Sequence, residues 1–160
     1  MNTKSFISAL LSVHFIFAFS PVIAQAEEAS SKSKSREEIK LTRTEREFLL
    51  SEMRDFLEAV ARIVAANNSG NMQELANAAQ GVGLKAHKAA LSNPDSIVHI
   101  IRKKTPPSFF PLGKATHEGF DEIAHIANTT ADSKQINTLL AQNLQRCVAC
   151  HANYRISETP

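Results

Sequence analysis

The chain of 160 residues has no tryptophan, one tyrosine and two cysteines. A poverty of Trp and Tyr beside abundant Ala and Leu argues against a β-sandwich and for an all-helical domain. Two cysteines leave no second pair at matching spacing, which a structural zinc site would need. No single sign of charge dominates either, the formal net charge being +2. With Lys4 set aside, basic and acidic side chains almost balance. No basic field points to nucleic acid or to a membrane surface.

What is there is concentrated near the C-terminal end, in Cys147-Val148-Ala149-Cys150-His151. C-x-x-C-H is the pattern of covalent c-type haem attachment. Two thiols one helical turn apart can add to the two vinyl groups on one porphyrin edge, and the adjacent imidazole is then held against the iron as its axial ligand. A random chain of this length contains the pattern on the order of once in a thousand. A redox pair is the competing reading, but such pairs normally open a helix after a strand. This one sits near the far end of a helical pattern.

The other end of the chain corroborates the motif. Residues 1–26 read as a secretory signal peptide: Lys4 supplies a positive region, Phe6 to Ala24 is apolar, and Ala24-Gln25-Ala26 fits a small-x-small cleavage site. The apolar run is nearly long enough to be an uncleaved membrane anchor. Ser20-Pro21 near its end and the cleavage site favour removal, which gives a mature protein that starts at Glu27, outside the membrane. In a bacterium, c-type haem is attached on that side of the cytoplasmic membrane, so a periplasmic protein with one covalent haem c, and its iron, is expected.

Residues 27–41, rich in Ser, Lys and Glu, read as a flexible, solvated leader. The domain is expected over residues 42–156. Its first helix opens at Thr42 or Thr44, with Glu45 or Glu47 near the positive end of the dipole. Leu49, Met53, Phe56, Val60 and Ile63 step by four and three, and Leu50, Leu57 and Val64 widen that stripe. The helix should stop at Asn67-Asn68-Ser69-Gly70. A second, Ala-rich helix runs from Met72 to about Leu91, with Gly81 and Gly83 permitting close approach of a neighbour or a flat cofactor. Four prolines between Asn93 and Pro111 forbid one continuous helix there, leaving at most a turn at Ile97 to Ile101. The third helix is expected over Leu112 to Asn128. The fourth spans Ser133 to Tyr154, with Ile136, Leu140, Asn143 or Leu144, Cys147, His151 and Tyr154 on the core-facing stripe.

The stretch from Cys147 to Arg155 resembles the cytochromes c′, in which C-x-x-C-H-x-x-Tyr-Arg lies near the end of the last helix. Tyr154 and Arg155 complete the match, and Arg46, Leu50 and Met53 fit the family's first-helix pattern. The resemblance covers roughly residues 42–156. It implies an antiparallel four-helix bundle with Cys147 and Cys150 as thioether anchors and His151 as axial iron ligand. It further implies Arg46 as partner of a haem propionate, Leu50 or Met53 over the distal face, and Arg155 in the proximal environment. Homodimers built on the first two helices are common in this fold, and the Ala-rich second helix suits one, although such faces also pack within a chain. The segment from Leu112 to Asp121 departs from the family pattern and suggests a divergent member.

Function then turns on what faces the iron opposite His151. Leu50 cannot ligate and would leave an open or weakly covered iron, able to bind NO or CO. Met53 would complete a six-coordinate His/Met site, closed to gases, and make the protein a one-electron carrier between periplasmic redox partners. The two residues project onto broadly the same helix face. The open site is favoured slightly, and an enzyme is not expected, because no distal base and cation of the peroxidase kind can be located. His117 and Asp121 form an i,i+4 pair that could orient an imidazole. His87 and His125 read as solvated, and His99 has no assignable role.

Overall fold

The computed structural model describes residues 35–159; the signal-peptide reading and most of the leader lie outside them. The described chain is predominantly helical, with one small sheet. Its elements in order are β1 (Glu37–Leu41), α1 (Arg43–Ser69), α2 (Met72–Gly81), a 3-10 turn (Leu84–His87), α3 (Lys88–Ser92), α4 (Ile97–Arg102), α5 (Phe109–Thr129), α6 (Ser133–Asn153) and β2 (Tyr154–Glu158). Among these, no helix is long and apolar enough to cross a membrane.

Local chemistry accounts for the ends of the long helices. Thr42 caps α1 in a reciprocal box, its hydroxyl accepting from the Glu45 amide while the Glu45 carboxylate accepts from the Thr42 amide at 2.9 Å. Gly70 ends α1 in the left-handed region, at φ 72°, a conformation that costs glycine least. Asp132 caps α6 through the amides of Lys134 and Gln135. Pro111 stands in the first turn of α5, where no helical amide bond is lost.

The second expected helix is broken. α2 stops at Gly81, and Val82 and Gly83 lead into the 3-10 turn before the chain resumes as α3. Gly83 is pressed against α5: a β-carbon there would lie 2.2 Å from Asp121 Oδ1. Close approach, anticipated from the small residues, is thus met by ending the helix.

The leader also ends sooner than expected, because residues 37–41 are a strand. β1 pairs in parallel with β2, Glu37 opposite Tyr154 and Ile39 opposite Ile156. Ile39 and Leu41 are fully buried beside Ile101, Phe109 and Tyr154. The sheet ties the segment before α1 to the segment after α6. A larger core lies between α1, α2, α5 and α6, centred on Ile63, Leu75, Phe120, Ile123 and Ile136. Each such side chain contributes roughly 1.5–3 kcal/mol by burial. Leu57 and Val64, expected to widen the α1 stripe, face solvent instead, and on α6 Asn143 is buried where Leu144 is not. Ala59 and Ala66 fill the inner face of α1, placing its backbone close to its neighbours.

Candidate functional site

Cys147 and Cys150 lie in the last two turns of α6, both as free thiols and both half-buried. Burial pushes both thiols above their usual range, so they remain protonated near neutral pH. Reactive redox pairs sit instead at a helix N-terminus, where the dipole lowers the thiol pKa. Neither the position nor the charge state here suits thiol–disulfide exchange.

Both thiols and His151 open onto a cleft of about 660 Å³. That is within the range of about 300–1,000 Å³ typical of cofactor and small-molecule sites. Its walls come from α1, α5 and α6 and from the 3-10 turn, α3 and α4, and they draw on both cores, with Phe120 and Leu140 from one and Ile101 and Phe109 from the other. The lining is largely apolar. Leu57 is 70% exposed and Leu144 39% exposed, and both belong to it. A contiguous apolar surface left open in this way is a place for a ligand rather than for water. Arg102, Lys114 and Arg146 supply positive charge around the same cleft.

A second hollow, of about 270 Å³, shares Met53, Phe109, Cys150 and His151 with the first and adds Arg46, Leu50, Tyr154 and Arg155. All eight residues singled out by motif or resemblance therefore line one or other hollow, although they come from opposite ends of the domain. Arg46 pairs with Glu47 at 3.0 Å and Arg155 with Glu38 at 3.3 Å, both near the surface. Tyr154 is buried, its hydroxyl 2.5 Å from Ser108 Oγ and its ring edge-on to Phe109. That anchor fixes the chain three residues past His151, which itself is exposed.

The residue types suit a haem. Two protonated thiols on one helical turn, an adjacent imidazole, a largely apolar cleft and guanidinium groups beside it would suit the two vinyl groups, the iron, the ring and the propionates in turn. Cys147, Cys150 and His151 would hold the group, Arg46 or Arg155 its carboxylates.

Sequence reasoning missed part of the cleft's polar lining. His87, expected to be solvated, is half-buried there, its ring 4.7 Å from that of His117. His117 does not pair with Asp121. Its Nδ1 bonds the Val82 carbonyl at 2.8 Å and its Nε2 lies 3.6 Å from Glu52 Oε2. Burial lowers the His117 pKa, so this imidazole is neutral near pH 7. Asp121 accepts from the Lys85 amide instead, at 3.2 Å. His99 ties α4 to the end of α3 through the Leu91 carbonyl, and His125 is exposed as expected. The i,i+4 spacing of His117 and Asp121, within the segment from Leu112 to Asp121 that departs from the family pattern, signalled that this part of α5 carries more than packing. Comparison with family models, with curated proteins and with solved structures finds no match to the chain.

Proposed function

We propose that the chain is a periplasmic haem protein of the cytochrome c′ type, in which α1, α2, α5 and α6 form the antiparallel four-helix bundle. One haem c is attached by thioethers to Cys147 and Cys150, with His151 as axial ligand. The observation that carries this reading is the shared opening of those three side chains onto a large apolar cleft. When attached, haem supplies an iron centre that binds a diatomic gas or carries one electron.

The chain's own residues then have distinct tasks. Cys147 and Cys150 would hold the ring to α6, and the Tyr154–Ser108 bond with the β1–β2 pairing holds the end of α6 against the rest of the domain. Phe56, Leu57 and Leu144 line the cleft and would shield a bound ring from water. Leu50 lines the hollow beside His151 and offers no ligating atom, which supports an open or weakly covered iron that captures NO or CO. A second reading rests on Met53, which lines both hollows that His151 lines. Its thioether would close the site and make the protein a one-electron carrier.

An optical spectrum separates them. The exported chain, produced together with a c-type haem maturation system, is reduced with dithionite and recorded before and after CO. A broad high-spin spectrum that shifts with CO is the expected result. A sharp low-spin spectrum indifferent to CO, converted to high spin by Met53→Leu, establishes the carrier. Protein that emerges without covalent haem overturns both.

A further inference from the structure

We infer that Glu52, His87 and His117 form a second metal site, for a borderline divalent transition-metal ion such as Zn²⁺, with one coordination position left open toward the cleft. The ligands converge from three elements: α1, the 3-10 turn and α5. Their ligand atoms all lie within 4.8 Å of one another. Tetrahedral ligands bound at about 2.0–2.1 Å stand about 3.3–3.4 Å apart, so the His117–Glu52 pair at 3.6 Å is nearly in place, while the widest separation must close by up to about 1.4 Å through side-chain rotation.

The orientation of His117 is what marks the cluster as a ligand set. The Val82 carbonyl is only an acceptor, so the His117 Nδ1 bonded to it must carry the ring proton. Nε2 is thereby turned toward Glu52 Oε2, 3.6 Å away and beyond hydrogen-bond reach. In the neutral ring that nitrogen is a free lone pair, and a cation between it and the carboxylate would satisfy both half-buried groups. An imidazole whose far nitrogen donates to a backbone carbonyl is the usual arrangement of a metal-bound histidine. Asp121 accepts from the Lys85 amide and so pins the turn that presents His87. As metal ligands, two imidazoles and one carboxylate would carry a single negative charge, which a divalent ion more than offsets. Two nitrogens and one oxygen suit Zn²⁺, and equally Co²⁺ as its optical reporter. None of the three residues belongs to Cys147–His151, but all three also line the cleft proposed for haem, so the metal ion and the ring would be neighbours there.

The test is calorimetric titration of the metal-stripped exported chain with Zn²⁺, using Co²⁺ absorption to read the ligand field. The protein carries its haem; if it emerges without haem, the thiols are first alkylated so that Cys147 and Cys150 cannot bind metal. One saturable equivalent is expected. His87→Gln, His117→Gln and Glu52→Gln should each weaken it by at least about tenfold, while His125→Gln leaves it unchanged. His87 is only half-buried, so His87→Gln serves as the decisive variant if His117→Gln unfolds, with thermal melts confirming its fold. No saturable equivalent, or equal affinity in His87→Gln and the parent chain, overturns the site.

Discussion

Replacing Gly119 by Ala should loosen the packing of α5 against α6 just before the thiols. A β-carbon at Gly119 would stand 2.5 Å from Asn143 Oδ1 and 2.6 Å from an Arg146 guanidinium nitrogen. Arg146 can swing outward. Asn143 cannot, because its side chain is 1% exposed, donates to the Thr116 carbonyl at 3.2 Å and accepts from Arg146 at 2.7 Å. Overpacking costs about 1–3 kcal/mol, and stranding a buried amide about 1–3 kcal/mol more. Gly→Ala in a helix interior returns about 1 kcal/mol. The net loss is about 1–5 kcal/mol, which at about 3–6 °C per kcal/mol for a domain of this size lowers Tm by about 3–30 °C. Gly113 lies on the same helix with nothing within 4 Å of its notional β-carbon, so Gly113→Ala should gain about 0.5–1 kcal/mol. Thermal melts by circular dichroism on the two variants isolate the packing cost. Gly119→Ala melting at or above the parent would refute the reasoning, since it would mean that Asn143 gives way freely.

Two further outcomes follow from single contacts. Ala131, between α5 and α6, sits at φ 53°; Ala131→Gly relieves strain of about 1–2 kcal/mol, partly offset by glycine's entropy, and should raise the unfolding free energy by a net of about 0.5–1 kcal/mol, read as a higher urea midpoint. Lys104 bonds both Glu45 carboxylate oxygens, at 2.6 and 2.9 Å, and with the Thr42 amide holds that carboxyl below its ordinary value of 4.5. Its folded pKa being depressed, the contribution is present above pH 4.5 and is lost as pH falls through the folded pKa. Urea midpoints measured from pH 6 to pH 3 should therefore fall less steeply in Lys104→Met than in the parent, and equal slopes would contradict the assignment.

The long helices were legible because their signals are local. Thr42 with Glu45, Gly70 and the four-and-three stepping of Leu49 to Ile63 are written within one segment each. The strands were not read, although Glu-Glu-Ile-Lys-Leu alternates polar and apolar residues as an edge strand does. A five-residue alternation decides little alone, and β1 finds its partner only after α6 has returned the chain to it. The break after Gly81 follows from a contact with Asp121, forty residues on, that no local pattern carries. His87 shows the same limit: flanking lysines suggested a solvated side chain, but the turn that the broken helix creates points it into the cleft. Within the site, Cys147, Cys150 and His151 were identified by spacing alone. Glu52, which joins His87 and His117 only through tertiary packing, carried no sequence signal.

The most direct test of covalent haem attachment is the intact mass of the exported chain after acid–acetone extraction, alongside a Cys147→Ala/Cys150→Ala double variant. A polypeptide beginning at Glu27 that retains the mass of one haem, while the double variant retains none, is the predicted result. A chain whose haem extracts completely, or that never acquires one, would contradict the account.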